Sequence, residues 1–377
     1  MADLPRTFTA STEVKLASPE PVMLRLCAHF REFGEVTVSG ACSRIETGFG
    51  IAGLEACKGC LKISAQGSDE AALAYVKLAL AEHLLNFAID EEPEIIWRCD
   101  VAVGSPLPYF REMRVVRIAD VTPRMRRITL AGNDLRRFAS GGMHVRLLFP
   151  KQRDKTPVWP TTGADGRPSW PDGEQRPEIR IYTIRSLDAA KGEADIDFVL
   201  HEGEHMPGAR FAAEARPGDV VGMTGPGGGG IVPADWYLLA GDETALPAIG
   251  RILEELPAGA KAVVRIEVAD EAERQDLRSS AGIDLQWLYR NGSAAGTTDA
   301  LAQAVRDVAL PADGRSIFVW AGCEHAAFRQ IRTYLRQERN LSRDQHLVVA
   351  YWRRGVSGDA ARKEESQPPA HAASQSR

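Results

Sequence analysis

Residues 236–270 read WYLLAGDETALPAIGRILEELPAGAKAVVRIEVAD. An apolar run, WYLLAGD, gives way to TALPAIGRILEEL, whose apolar residues recur at helical spacing, and a second apolar run, KAVVRIEVAD, follows. Strands this apolar are covered on both faces, and a helix between two of them is the crossover of a parallel sheet. The rhythm continues downstream with TTDALAQAVRDVAL and EHAAFRQIRTYLRQERN as helices and SIFVWAG and HLVVAYWRRG as strands. Residues 236–355 are therefore expected to form an α/β nucleotide-binding domain, with its ligand beyond the carboxyl ends of the strands. The remainder, residues 356–377, is polar and rich in Ser, Ala and Pro, and is expected to be a disordered tail.

Upstream the pattern changes. Between residues 106 and 235, REMRVVRIADVTPRMRRITLAG, HVRLLFP, EIRIYTIRS and ADIDFVLHEG read as strands at a spacing that suits a small antiparallel β-barrel. A loop from Lys151 to Pro177, with Trp159 and Trp170, interrupts them, and a loop of that length is normally functional or mobile. Residues 1–105 read as an α+β module. Ser18 and Pro19 open one helix as N-cap and N1, strand-like runs EVTVS, CSRIET, FGIAGLEA and CLKISAQ follow, and SDEAALAYVKLALAEHLLNFAI forms a second helix. GSPLPYF has the composition of a linker to the barrel.

The whole chain has 377 residues, 44% hydrophobic and 26% charged, with a formal net charge of -5. That balance provides no global basic field for nucleic acid, and no run reaches the roughly 18 apolar residues of a membrane span. The start lacks the basic and apolar regions of a secretory signal, so a cytoplasmic protein is expected, without stable membrane association. Six cysteines in this length do not make a disulfide scaffold. Cys57 and Cys60 have the spacing of half a metal site, but no second pair accompanies them, so a hairpin turn is the first reading, with metal or cluster binding and a redox pair as alternatives.

RIYTIRSLD, residues 180–188, is unusual for a core strand. Side chains alternate, so Arg180, Tyr182 and Ile184 share one face and Ile181, Thr183 and Arg185 the other. An Arg pairs with phosphate, a Tyr lays its ring on a flat heterocycle, and a Thr bonds a ring nitrogen. GMTGPGGGGI, residues 222–231, is Gly-rich without the Lys-Ser/Thr of a phosphate loop, and serves either as an inter-domain turn or beside a cofactor. LLAGDETALPAI places Gly241, Asp242, Glu243 and Thr244 where a strand meets a helix N-terminus, a place for phosphate. Glu267 and Asp270, ending the next strand, suit a free ribose hydroxyl, whereas Arg274 suits a 2'-phosphate. For a nicotinamide dinucleotide bound there, these residues leave NADPH against NADH open.

RIYTIRSLD, DIDFVLHEGE, VWPTTGADGRPSWPDGE, DWYLLAGDETALPAIGRILEELP and YWRRG together, in order from about Arg111 to Gly355, resemble the siderophore-interacting protein family. These are flavin-dependent ferric-siderophore reductases of the ferredoxin-reductase superfamily. Residues 1–100 resemble the DUF2218 family. The resemblance implies FAD, with Arg180 near its pyrophosphate, Tyr182 against the isoalloxazine, Thr183 near the reactive edge, and Arg185 on phosphate or shaping the site. Tyr182 and Thr183 would then be the catalytic pair. It also implies a cofactor contact for His201, and for Pro207, Gly208 and Ala209 at a helix start, where HMPGARFAAEA departs in local order from the family. Tyr351 and Trp352 would face flavin and nicotinamide. WAGCEH inserts Cys323 before Glu324, where Gly is commonly followed directly by Glu, and Cys323 reads as an ordinary loop residue or a redox thiol.

The implied partner is a ferric siderophore, many of which are anionic. Arg124, Arg126, Arg127, Arg353 and Arg354, with Arg136 and Arg137 close in sequence, are candidate docking cations, although a solvated barrel face explains the barrel arginines equally well. No resident metal is expected. A nicotinamide gives electrons in pairs and Fe(III) accepts one, so a flavin belongs between them. Two alternatives remain at this level: a flavin reductase of another small acceptor such as a quinone, and a non-catalytic siderophore-binding flavoprotein.

Overall fold

The computed structural model describes residues 7–99, 101–200 and 206–356; His201 and the tail beyond Val356 lie outside the described residues. The chain divides into two compact units, Met1–Phe110 with Pro150–Pro177, and Arg111–Phe149 with Glu178–Arg377.

In the first unit β1 (Phe8–Lys15), α1 (Pro19–Phe30), β2 (Gly34–Ser39), β3 (Cys42–Thr47), β4 (Gly50–Cys57), β5 (Cys60–Gly67) and α2 (Glu70–Phe87) follow in order. The strands form one antiparallel sheet, β1-β5-β4-β3-β2. β1 escapes a reading by hydrophobicity because its buried side, Ala10, Thr12 and Val14, is small and partly polar. Both helices pack over one core, in which Val14, Met23, Leu26, Leu61, Leu80 and Leu84 are buried. α1 starts with Pro19, but Ser18 makes no side-chain cap bond; at α2, Asp69 does, accepting from the Ala72 amide at 2.7 Å. Cys57 and Cys60 face each other across a two-residue turn in which Gly59 has φ of 78°, a left-handed conformation that suits glycine.

In the second unit β6 (Phe110–Thr122), β7 (Met125–Ala131) and β8 (His144–Phe149) begin a barrel. The chain then leaves it. The segment to Pro177, with the two-residue ribbon β9 (Thr161–Thr162) and β10 (Pro168–Ser169), belongs to the first unit. There the Trp97 indole donates to the Asp165 carbonyl at 2.9 Å and the Thr162 amide to the Ser105 carbonyl at 2.8 Å. The stretch read as a structureless loop is thus bound by backbone and side-chain hydrogen bonds. β11 (Glu178–Asp188), β12 (Glu193–Val199), α3 (Pro207–Glu214) and β13 (Val220–Gly227) complete the closed antiparallel barrel, β11-β12-β7-β6-β13-β8. Its interior is filled by Met113, Ile128, Leu147, Ile196, Phe198 and Met223.

The parallel sheet follows with β14 (Trp236–Asp242), α4 (Leu246–Glu255), β15 (Lys261–Val268), β16 (Gly282–Tyr289), α5 (Ala300–Arg306), β17 (Ile317–Glu324), α6 (His325–Thr333) and β18 (His346–Trp352). The order is β16-β15-β14-β17-β18. β16 is not marked in the sequence reading because IDLQWLYR alternates polar and apolar, as an edge strand does. The order reverses between β14 and β17, and that break at the carboxyl ends is where open sheets of this kind take ligands. The fold is therefore an α+β unit, an antiparallel barrel and a parallel α/β sheet. Among the described residues no helix is long and apolar enough to cross a membrane.

Candidate active site

β11 runs along β8 until Thr183, which sits directly opposite His144, and then shifts register onto β12 through an irregularity between Ile184 and Ser186. That shift divides the strand's work. Arg180, Tyr182 and Ile184 lie on the barrel side, where Tyr182 packs on Phe198 with centroids 4.4 Å apart and meets Phe149 edge-on at 6.2 Å. Burial pushes the Tyr182 phenol well above its ordinary pKa. Arg180 Nη1 donates to the Ile179 carbonyl at 2.7 Å. The Tyr182 hydroxyl lies against Gly208, where a Cβ would come within 1.7 Å of it. Pro207, Gly208 and Ala209 form the first turn of α3, which begins after Met206 without a side-chain cap.

Thr183 and Arg185 point the other way, toward the sheet domain. Arg185 forms a bidentate pair with Glu254 of α4, at 2.9 and 2.6 Å. The Tyr351 hydroxyl lies 2.5 Å from Nε2 of His144, the residue paired with Thr183 across the two strands. His144 thus brings the barrel motif and the final strand to one point. Burial first, then the Arg251 charge, pulls the His144 pKa down to about 4, so its imidazole is neutral at neutral pH. A second set of ties joins the β6–β7 turn to the segment after β15, where Glu273 accepts from the Thr122 hydroxyl at 2.5 Å and the Arg124 amide at 3.0 Å.

At the sheet's carboxyl edge Asp242 is buried and accepts four hydrogen bonds. The Thr244 amide donates at 3.0 Å and its hydroxyl at 2.5 Å, the Glu324 amide at 3.0 Å and the Trp352 indole at 2.9 Å. Burial above all, and then Glu243, raises its pKa to about 6. Asp242 thus fastens the ends of β14, β17 and β18 together. Gly241 and Gly322 face each other on β14 and β17, and a Cβ on either would press into Ala245. Glu243 and Glu267 share Arg290, which is 3% exposed and stands 2.6 and 3.6 Å from them. Glu267 also accepts from Thr298 at 2.8 Å, and Asp270 caps the turn after β15 by accepting from Ala272. Arg274 pairs with Glu271 at 3.5 Å. Cys323 is buried, and burial pushes its thiol pKa strongly upward.

The candidate docking arginines do not act as one patch. Arg127 is bidentate to Asp197, at 2.6 and 2.8 Å, and Arg126 holds Asp120 and the Ala212 carbonyl. Arg136 lies 3.7 Å from Asp134, and Arg137 donates to the Gly225 carbonyl. Arg124, Arg353 and Arg354 have exposed side chains. Among the described residues no group of three or more His, Cys, Asp or Glu is placed to hold a metal ion.

The family profile "Siderophore-interacting FAD-binding domain" matches residues 114–230 and "Siderophore-interacting protein" matches residues 234–355. Ferric vibriobactin reductase ViuB of Vibrio cholerae is 35% identical over 260 residues, 68% of this chain and 94% of that one. The chain belongs to the siderophore-interacting protein family. Residues 11–98 match DUF2218, "Uncharacterized protein conserved in bacteria". The NADPH-dependent ferric-chelate reductase of Escherichia coli is 32% identical over 250 residues, 64% of this chain and 92% of that one. Among solved structures, the siderophore-interacting protein SipS from Aeromonas hydrophila superposes with a TM-score of 0.57 at 32% identity, covering 68% of this chain and 96% of that one. A siderophore utilization protein from T. fusca gives 0.55 at 40% identity, with 66% and 94% covered.

His144 and Arg290 are the residues a sequence reading does not find. His144 is the first residue of a strand and becomes part of the site through its register with Thr183, and Arg290 closes an acidic pair from a loop after an unmarked strand.

Proposed function

We propose that this family member is an NAD(P)H-dependent reductase of ferric siderophores that carries FAD on the barrel and works in the cytoplasm. The observation that carries the reading is the convergence of Thr183, on the flavin-type strand, with Tyr351, on the last strand of the dinucleotide-type sheet, through His144. The residues present fit the cofactor: a half-buried ring at Tyr182, a cation two residues before it at Arg180, and an uncapped helix start opened by Gly208. When bound, FAD would take one hydride, that is two electrons, from the nicotinamide and pass them singly to Fe(III).

The chain's own residues would do the rest. Arg180 and the first-turn amides of Gly208 and Ala209 would hold pyrophosphate, and Tyr182 would supply the flat apolar contact. Thr183 would present its hydroxyl at the reactive edge, with a neutral His144 opposite it accepting from Tyr351. Gly241 to Thr244 and Trp352 would frame the nicotinamide side, with Asp242 as a positioning residue because its carboxylate is fully engaged. Arg185 and Glu254 would keep the barrel and sheet in register. Arg124, Arg353 and Arg354 would draw in an anionic ferric chelate. Fe(II), once formed, leaves oxygen donors that suit the harder Fe(III).

The test is an anaerobic absorbance titration with NADH or NADPH, followed by a ferric siderophore with an Fe(II) trap. Flavin bleaching followed by reoxidation with stoichiometric Fe(II) supports the reading and gives the nicotinamide preference. Flavin that stays reduced in the presence of the ferric chelate would sink the substrate assignment. Tyr182→Ala is expected to lose flavin; full flavin content and normal iron release in that variant would sink the cradle.

A further inference from the structure

The N-terminal unit contains a cavity of about 290 Å³ between the end of α1, the middle of α2 and the β3–β4 turn. An apolar cavity of about 150 Å³ accommodates benzene, so this one has room for two fused rings. Its wall is almost wholly apolar. Phe33 and Phe49 line it while remaining 60% and 48% exposed, and Tyr75 packs on Phe49 at 5.0 Å. A well-formed apolar cavity with a few convergent polar groups is where a small-molecule site is expected.

Two imidazoles converge on the same space. The His29 and His83 rings lie with centroids 3.9 Å apart, and among the described residues neither imidazole makes a hydrogen bond. Burial, and then the neighbouring His29, hold the pKa of His83 below its ordinary value. A neutral imidazole offers one N–H and one bare nitrogen. The matching ligand group both donates and accepts. A hydroxyl does so, whereas a carboxylate only accepts and an ammonium only donates.

We propose that the N-terminal unit binds a hydroxylated aromatic of one or two rings in this cavity, its ring against Phe33, Phe49 and Tyr75 and its hydroxyl on His29 and His83. The site is separate from the barrel and the sheet, and its occupancy does not depend on the reductase reading.

Isothermal titration of the full-length flavin-loaded protein with 2-naphthol, 2-methoxynaphthalene and 2-naphthoate tests it. One 2-naphthol per chain is expected, bound about tenfold more tightly than either analogue, the size of one well-made polar contact. His29→Phe keeps a ring there and removes one imidazole, and is expected to erase the preference for naphthol over the methoxy analogue. Ala79→Phe, at a lining position, is expected to abolish binding of all three. Both variants should keep the parent's far-ultraviolet circular dichroism and thermal unfolding profile, which shows that the N-terminal unit still folds. No binding by the parent, equal affinity for the three probes, or naphthol binding unaltered in both variants would overturn the proposal.

Discussion

His144 and Asp242 belong to the same junction and respond to acid in opposite directions. His144 has its pKa lowered from 6.5 to about 4 by burial and Arg251, so its contribution to stability is complete above pH 6.5 and is lost as pH falls toward 4. Asp242 has its pKa raised from 3.8 to about 6, chiefly by burial, so its contribution is complete below pH 3.8 and is lost as pH rises through 6. At about 1.4 kcal/mol per pH unit each contribution amounts to about 3 kcal/mol. Over the same window the two nearly cancel in the parent protein. His144→Gln removes one side of the balance, and that variant should gain about 3 kcal/mol on the parent as pH is taken from 7 to 4. Asp242→Asn removes the other and should lose about as much relative to the parent. The assay is the guanidinium unfolding midpoint of the three proteins at half-unit pH steps, each referred to its own value at pH 7. All other titrating groups are common to the three, so differences of slope isolate the pair. Three parallel curves would refute the reasoning.

Gly208→Ala places a methyl where the Tyr182 hydroxyl lies, and overpacking of this sort costs about 1–3 kcal/mol; flavin content after desalting should fall with it, and full retention would count against the placement of the ring. Arg290→Met strands two buried carboxylates and should destabilise by about 3–5 kcal/mol in thermal melts, with a fall in melting temperature as the readout. Arg127→Leu should cost a similar amount, because Asp197 is 1% exposed and loses its partner, while KM for the ferric chelate stays at the parent value. A raised KM there would return Arg127 to substrate docking.

The parallel sheet is legible because its strands are apolar runs separated by amphipathic helices, and the exception, β16, is the edge strand whose alternation hides it. The barrel strands are legible by turn spacing, but their closure is not, since pairing such as Thr183 with His144 depends on register. The site shows the same division. Tyr182, Thr183 and Tyr351 carry their chemistry in residue type, so the motif reveals them. Arg126, Arg127 and Arg185 also read as functional charges, yet carboxylates far away in sequence, such as Asp197 and Glu254, engage the last two. Whether an arginine is available to a ligand depends on long-range partners, and a linear sequence does not display those. The Cys57–Cys60 spacing is resolved in the same way, as a cross-strand pair at a glycine turn.

The segment Pro150–Pro177 leaves the barrel from β8 and returns to it at β11, two strands that are neighbours, and between those points it folds with the N-terminal unit. A module joined by a single linker is removable with one cut. Here the peptide chain crosses between the units three times, so a truncation at the linker would leave the excursion attached to the reductase body while deleting Trp97 and the other groups that bind it. Exchange or loss of the N-terminal unit therefore has to include an internal stretch of the flavin domain, and gene fusions at this boundary are constrained at three junctions instead of one.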